Sequence, residues 1–134
     1  MKGIKRELTL HDSPQQDSVS ERGMWTRAEH AHALLISSGL PRFLWAEAMR
    51  HSIWLQNCSS THALNGKTLY DMSKGRKPHL AGLQEFGAAA YVKDLKAKKL
   101  DARALKACFV GYDSESKGYR IYWPENEASA SKET

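Results

Sequence analysis

Ala107-Cys108-Phe109-Val110-Gly111-Tyr112, then Asp113-Ser114-Glu115-Ser116-Lys117-Gly118, then Tyr119-Arg120-Ile121-Tyr122-Trp123 carry the clearest pattern in the chain, and the fold class follows from them. The two outer runs are rich in aromatic and β-branched residues, which suit a pleated, half-buried surface. The run between them holds turn formers and closes a hairpin. A third run of the same kind, Ala89-Ala90-Tyr91-Val92, precedes them. Toward the N-terminus the pattern changes. Trp25, Ala28, His32 and Leu35 recur in steps of three and four, flanked by Ala31 and Leu34, as on one face of a helix. Ser18 or Ser20 is placed to cap that helix, with Glu21 and Arg22 in its first turn. Gly39 is placed to stop it, two residues before Pro41. A second helix is expected from Pro41 through Leu44, Trp45, Ala48, Met49, Ile53 and Leu55 toward Cys58, making an αα-hairpin. The expected class is α+β, helices first and strands second.

Residues 59–82 form a connection containing Asn65-Gly66, Gly75 and Pro78, with one short helical turn expected around 69–73. Ile4, Leu8 and Leu10 suggest a further short strand near the N-terminus, and residues 125–134 hold no hydrophobe larger than alanine. There is no internal repeat.

The 134 residues carry a formal net charge of +5, with 41% hydrophobic and 26% charged side chains. That composition excludes a wholly disordered chain, a collagen and a disulfide-rich toxin. No run approaches the ~20 apolar residues of a membrane span, and residues 1–7 lack the apolar core of a signal peptide. The expected location is nuclear or cytoplasmic, not secreted. Cys58 and Cys108 stand fifty positions apart, without the paired spacing of a structural zinc site. Sequence leaves a disulfide between them open, with reduced thiols the default in a chain lacking an export signal.

At Ser13-Pro14-Gln15-Gln16-Asp17-Ser18-Val19-Ser20-Glu21-Arg22 the chain resembles the integrase region of copia-type LTR retrotransposon Pol polyproteins. The likeness continues in register. It runs through Ser38-Gly39-Leu40-Pro41, Phe43-Leu44-Trp45-Ala46-Glu47-Ala48 and Ala63-Leu64-Asn65-Gly66-Lys67-Thr68-Leu69-Tyr70. Gly75-Arg76-Lys77-Pro78, Leu83-Gln84-Glu85-Phe86-Gly87, Lys99-Leu100-Asp101, Phe109-Val110-Gly111-Tyr112 and Ser116-Lys117-Gly118-Tyr119-Arg120 follow in order. Several ordered motifs over one length are more specific than a single short pattern. The resemblance implies the C-terminal part of an RNase H-like catalytic core over 1–58 and a linker over 59–85. It implies a small SH3-like β-barrel over 86–124, with a tail over 125–134.

Members of that family are polynucleotidyl transferases using two magnesium ions held by two Asp and one Glu, as hard cations require. The resemblance places the catalytic, metal-binding Glu at Glu21 and puts Arg22 beside DNA. The family's two aspartates lie upstream of the motif, on strands these residues do not include. Asp12 and Asp17 are near Glu21 but do not occupy the missing positions. The magnesium site is therefore expected to be incomplete and the chain inactive by itself. Departures accompany this: Asp17-Ser18 replaces Asn-Gly, Leu69 replaces Pro, and Gly23-Met24-Trp25 follows Arg22 where the family has an amide and a base. Read without the resemblance, Glu21 is a first-turn carboxylate worth ~0.3–1 kcal/mol against the helix dipole.

Residues 93–106 carry Lys93, Lys96, Lys98, Lys99, Arg103 and Lys106 against Asp94 and Asp101. That excess of four positive charges approaches the +5 of the whole chain. Such a segment fits a phosphate backbone and implies weak, salt-sensitive DNA binding; the plainer alternative is a solvated loop that aids solubility. Trp25, Trp45 and Trp54 have core-like helical spacing, so packing is expected of them rather than base stacking, and His32 is expected to pack on the same stripe. The expected function is that of a retrotransposon integrase fragment in DNA integration. The expected partners are DNA and an integrase or polyprotein chain, with no membrane and no small-molecule substrate. The rival expectations are a non-catalytic nucleic-acid- or protein-binding module retained from a transposon, and a relic without function.

Overall fold

The computed structural model describes residues 17–93, 104–113 and 116–124. The elements in order are helix α1 (Ser18–Ser38), a 3-10 turn (Arg42–Leu44), helix α2 (Trp45–Cys58), a second 3-10 turn (His62–Leu64), helix α3 (Leu69–Lys74), and strands β1 (Ala89–Lys93), β2 (Ala104–Tyr112) and β3 (Tyr119–Tyr122). The expected strand near the N-terminus and the expected tail lie outside the described residues.

α1 ends where its sequence says it should. Gly39 takes the left-handed conformation (φ 66°) and its N–H reaches the Leu35 and Ile36 carbonyls, satisfying acceptors the helix leaves open. Pro41 is extended (φ −58°, ψ 143°), so it precedes the second helix instead of starting it; a single 3-10 turn then leads into α2. At the other end Asp17, not Ser18 or Ser20, is the N-cap residue, and the Ser20 hydroxyl donates to the Asp17 carboxylate. α3 is capped by Thr68, whose hydroxyl oxygen accepts from the Asp71 N–H at 2.9 Å.

The strands form one antiparallel sheet in the order β1-β2-β3. Ala90 pairs with Ala107 and Tyr91 with Lys106 on one side of β2; Cys108 pairs with Tyr122 and Phe109 with Ile121 on the other. Between Phe109 and Gly111 a β-bulge breaks the alternation, so Phe109 and Val110 are both buried. The expected barrel is not closed among the described residues: three strands form an open sheet whose inner face is covered by α2 instead of by further strands.

The core is shared. Ala31 and Leu35 of α1, Leu44, Ala48 of α2, Phe86 and Val110 make one buried cluster, with Leu34, Leu40, Met49 and Tyr122 packed against it. Alanines meet where α1 and α2 approach, and both are 0% exposed. Polar ties add to the helix pair: Arg27 Nε donates to Gln56 Oε1 at 3.0 Å, and the Ser52 hydroxyl donates to the Arg27 carbonyl. A bidentate ion pair fastens helix to sheet, with Arg120 of β3 donating twice to the Glu47 carboxylate of α2, both at 2.7 Å. Gly87 makes the close approach between the sheet and the end of α1. Its φ is 87°, and a Cβ there would lie 2.5 Å from Ser38 Cβ.

Two packing expectations are corrected. Trp25 is 71% exposed and Trp45 48% exposed, while His32 faces solvent. The buried stripe of α1 runs through Ala31 and Leu35 because α1 packs on α2 along that line, and among the described residues nothing buries the face carrying His32. Trp54 does pack, against Tyr112, with ring centroids 4.3 Å apart.

Candidate nucleic-acid interface

Glu21 lies in the first turn of α1 and is exposed, as is Arg22. Glu21 borders a cleft of about 570 Å³ walled by Asp17, Met24, Trp25, Trp45 and Met49. The structure thus puts two carboxylates, Asp17 and Glu21, on one apolar opening between the helix ends. That donor set does not suit two magnesium ions. Two carboxylates are too few ligands for a pair of hard cations, and no three His, Cys, Asp or Glu side chains converge as metal ligands among the described residues.

The basic segment is seen at its two ends. Lys93 closes β1, paired with Ala104 at the start of β2, and Lys106 pairs with Tyr91. Lys96, Lys98, Lys99 and Arg103 lie outside the described residues. Directly paired residues of antiparallel strands project to the same face, and alternate residues share it. Tyr91, Lys93 and Lys106 therefore stand together on the outer face of the sheet, where Tyr91 is 71% exposed. The opposite face at this end carries the buried Ala107 and the half-buried Val92. Tyr112 does not join this group. Its hydroxyl accepts from the Gln84 N–H at 2.8 Å and donates to the Gly82 carbonyl at 3.2 Å, turning the ring toward Trp54.

Sequence reasoning missed a second basic site. Arg76, Lys77 and Lys117 converge with Trp54, Tyr112 and Tyr119 around a cleft of about 520 Å³. The signal was Gly75-Arg76-Lys77-Pro78 followed by Lys117-Gly118-Tyr119. Those segments are far apart in the chain, so no local pattern joins them.

Buried among the aromatic rings is His51, with Phe86, Phe109 and Tyr112 centroids 5.6, 5.7 and 6.0 Å away. Its Nδ1 has no hydrogen-bond partner among the described residues, and burial holds its pKa below the ordinary histidine value. Cys58 is also buried, which raises its thiol pKa, and both cysteines are free thiols. No helix among the described residues is long and apolar enough to cross a membrane.

Residues 88–130 match the retroviral polymerase SH3-like domain family. The chain is 31% identical over 124 residues to the retrovirus-related Pol polyprotein from transposon TNT 1-94 of Nicotiana tabacum, covering 91% of this chain and 9% of that relative. It is 25% and 24% identical, each over 119 residues, to the retrovirus-related Pol polyproteins from transposons RE1 and RE2 of Arabidopsis thaliana. Those two matches cover 87% of this chain and 8% of each relative. No solved structure matches it. The chain thus belongs with the Pol polyproteins of retrotransposons, of which it represents a short segment carrying the retroviral polymerase SH3-like domain.

Proposed function

We propose that this segment is the DNA-contacting end of a retroelement integrase, binding duplex DNA through the outer face of the β1–β2 pair. The observation that carries this is the strand register, which sets Tyr91 beside both Lys93 and Lys106 on one exposed face, at the two ends of the basic sequence 93–106. Clustered cations release counterions from a phosphate backbone, giving affinity without base specificity and a steep loss with salt. An aromatic ring beside them adds contact with sugar or backbone.

In the same proposal α1 and α2 are the closing helices of an RNase H-like core, and Glu21 is the carboxylate they contribute. Magnesium and strand transfer belong to the longer polyprotein, because further carboxylates are required beside Glu21. The exposed Val19, Met24, Trp25 and Trp45 around Glu21 support this, since such a face fits packing against the remainder of a core in an integrase or polyprotein chain. By itself the chain binds DNA and does not join it.

The test is duplex binding by fluorescence anisotropy across a salt series. Lys93→Gln with Lys106→Gln should weaken binding and make the slope of log affinity against log salt shallower by about 1–2, roughly 0.9 for each lost phosphate contact. An unchanged slope in a folded double variant would sink the proposal.

A further inference from the structure

We infer that the cleft between α2, the segment after α3 and the β2–β3 turn binds single-stranded nucleic acid, one unstacked base on its aromatic wall and the flanking phosphates on its cations. The polymer class rests on the function proposed above, but the residues are different, so the two can fail separately.

Charge favours this cleft over the opening beside Glu21 and the groove between α1 and α2. It is bordered by Arg76, Lys77 and Lys117, all exposed, and among the described residues by no carboxylate. The cleft beside Glu21 has two carboxylates, which would repel a phosphate, and the groove between α1 and α2 is lined by neither lysine nor arginine. Among these three openings, only the Arg76–Lys117 cleft joins several cations to aromatic rings.

Shape points the same way. Trp54 and Tyr112 are already stacked at 4.3 Å, tilted by 30°, and the Tyr112 hydroxyl is fixed by Gly82 and Gln84. That makes a wall whose ring positions are set before a ligand arrives, which lowers the ordering cost of binding. Tyr119 stands 5.8 Å from Tyr112, centroid to centroid, and is 59% exposed, so part of it is accessible to a ligand. Stacking on an aromatic side chain tolerates any base, because every base has a π-face. A hollow of about 520 Å³ suits a nucleobase with its sugar. Stacked base pairs of a duplex cannot enter it, so the ligand is a strand with free bases.

The test uses the whole chain and two labelled probes, a twelve-residue oligothymidylate and a duplex of equal length, at about 50 mM salt, where phosphate contacts are weakly screened. Arg76→Gln/Lys77→Gln/Lys117→Gln alters exposed side chains, so its far-ultraviolet circular dichroism should match the parent. It should weaken oligothymidylate binding about tenfold or more and duplex binding by less than about threefold. Tyr119→Leu should weaken the single strand about fivefold at high salt, and Tyr119→Phe should restore it. Lys93→Gln/Lys106→Gln should show the opposite preference, weakening the duplex more. Equal loss for both probes in the cleft variant, no loss for the single strand, or equally good competition by a polyglutamate peptide would each overturn the proposal.

Discussion

His51 is the residue on which folding and pH meet. Its ring lies among Trp54, Phe86, Phe109 and Tyr112, with Nδ1 unpartnered among the described residues. Burial depresses its folded pKa below the 6.5 of an open histidine, so between those values the unfolded chain binds the proton that the folded chain refuses. Stability is therefore whole above about pH 6.5 and falls as pH drops toward the folded value. Thermal unfolding should show a lower midpoint at about pH 5 than at about pH 7.5, and His51→Phe should remove most of that difference. Glu47 acts in a lower window. The Arg120 hydrogen bonds hold its pKa down, so its contribution is present above the 4.5 of an open glutamate and lost as pH falls through the folded value. Arg120→Met should cost about 1–2 kcal/mol in a denaturant titration, the partial exposure of Arg120 keeping the loss modest.

Among the elements, the turns and the pairing of strands matter most. Gly87 holds a positive φ and leaves no room for a Cβ beside Ser38, so Gly87→Ala should destabilise the chain by about 2–3 kcal/mol in the same titration. A cost within about 0.5 kcal/mol would mean that α1 and the strand entry are not docked as described. The helices and strands were legible in the sequence because their signals are local. Gly39 ends α1 two residues before Pro41, and the aromatic runs become β2 and β3. The buried line of α1 was not legible. Steps from Trp25 to Leu35 and from Ala28 to Leu35 both have helical spacing, and only packing against Ala48 selects the one through Ala31.

Across the whole molecule, one core serves helices and sheet together, because Phe86 and Val110 fill the space against Leu35 and Ala48. Separate folding of the two halves would divide that cluster, and unfolding followed by circular dichroism and by tryptophan fluorescence should give one coincident transition. The face outside this core is apolar at Val19, Met24 and Trp25, all exposed. Trp25→Gln should leave stability within about 0.5 kcal/mol while reducing self-association in sedimentation, since the side chain contributes little to the buried cluster.

Local sequence was enough for the class of fold, the presence and order of the helices and strands, the excess of charge in residues 93–106 and the kinship with retroelement polyproteins. Each of those is written in neighbouring residues or in motif order. It took the folded chain to show that the sheet stays open over α2 among the described residues, that Tyr91 is paired with Lys106, that Glu47 clasps Arg120 across 73 positions, and that Arg76 and Lys117 share one cleft. Those facts depend on register, on a β-bulge and on long-range packing, where a shift of one position would send every side chain of a strand to the other face.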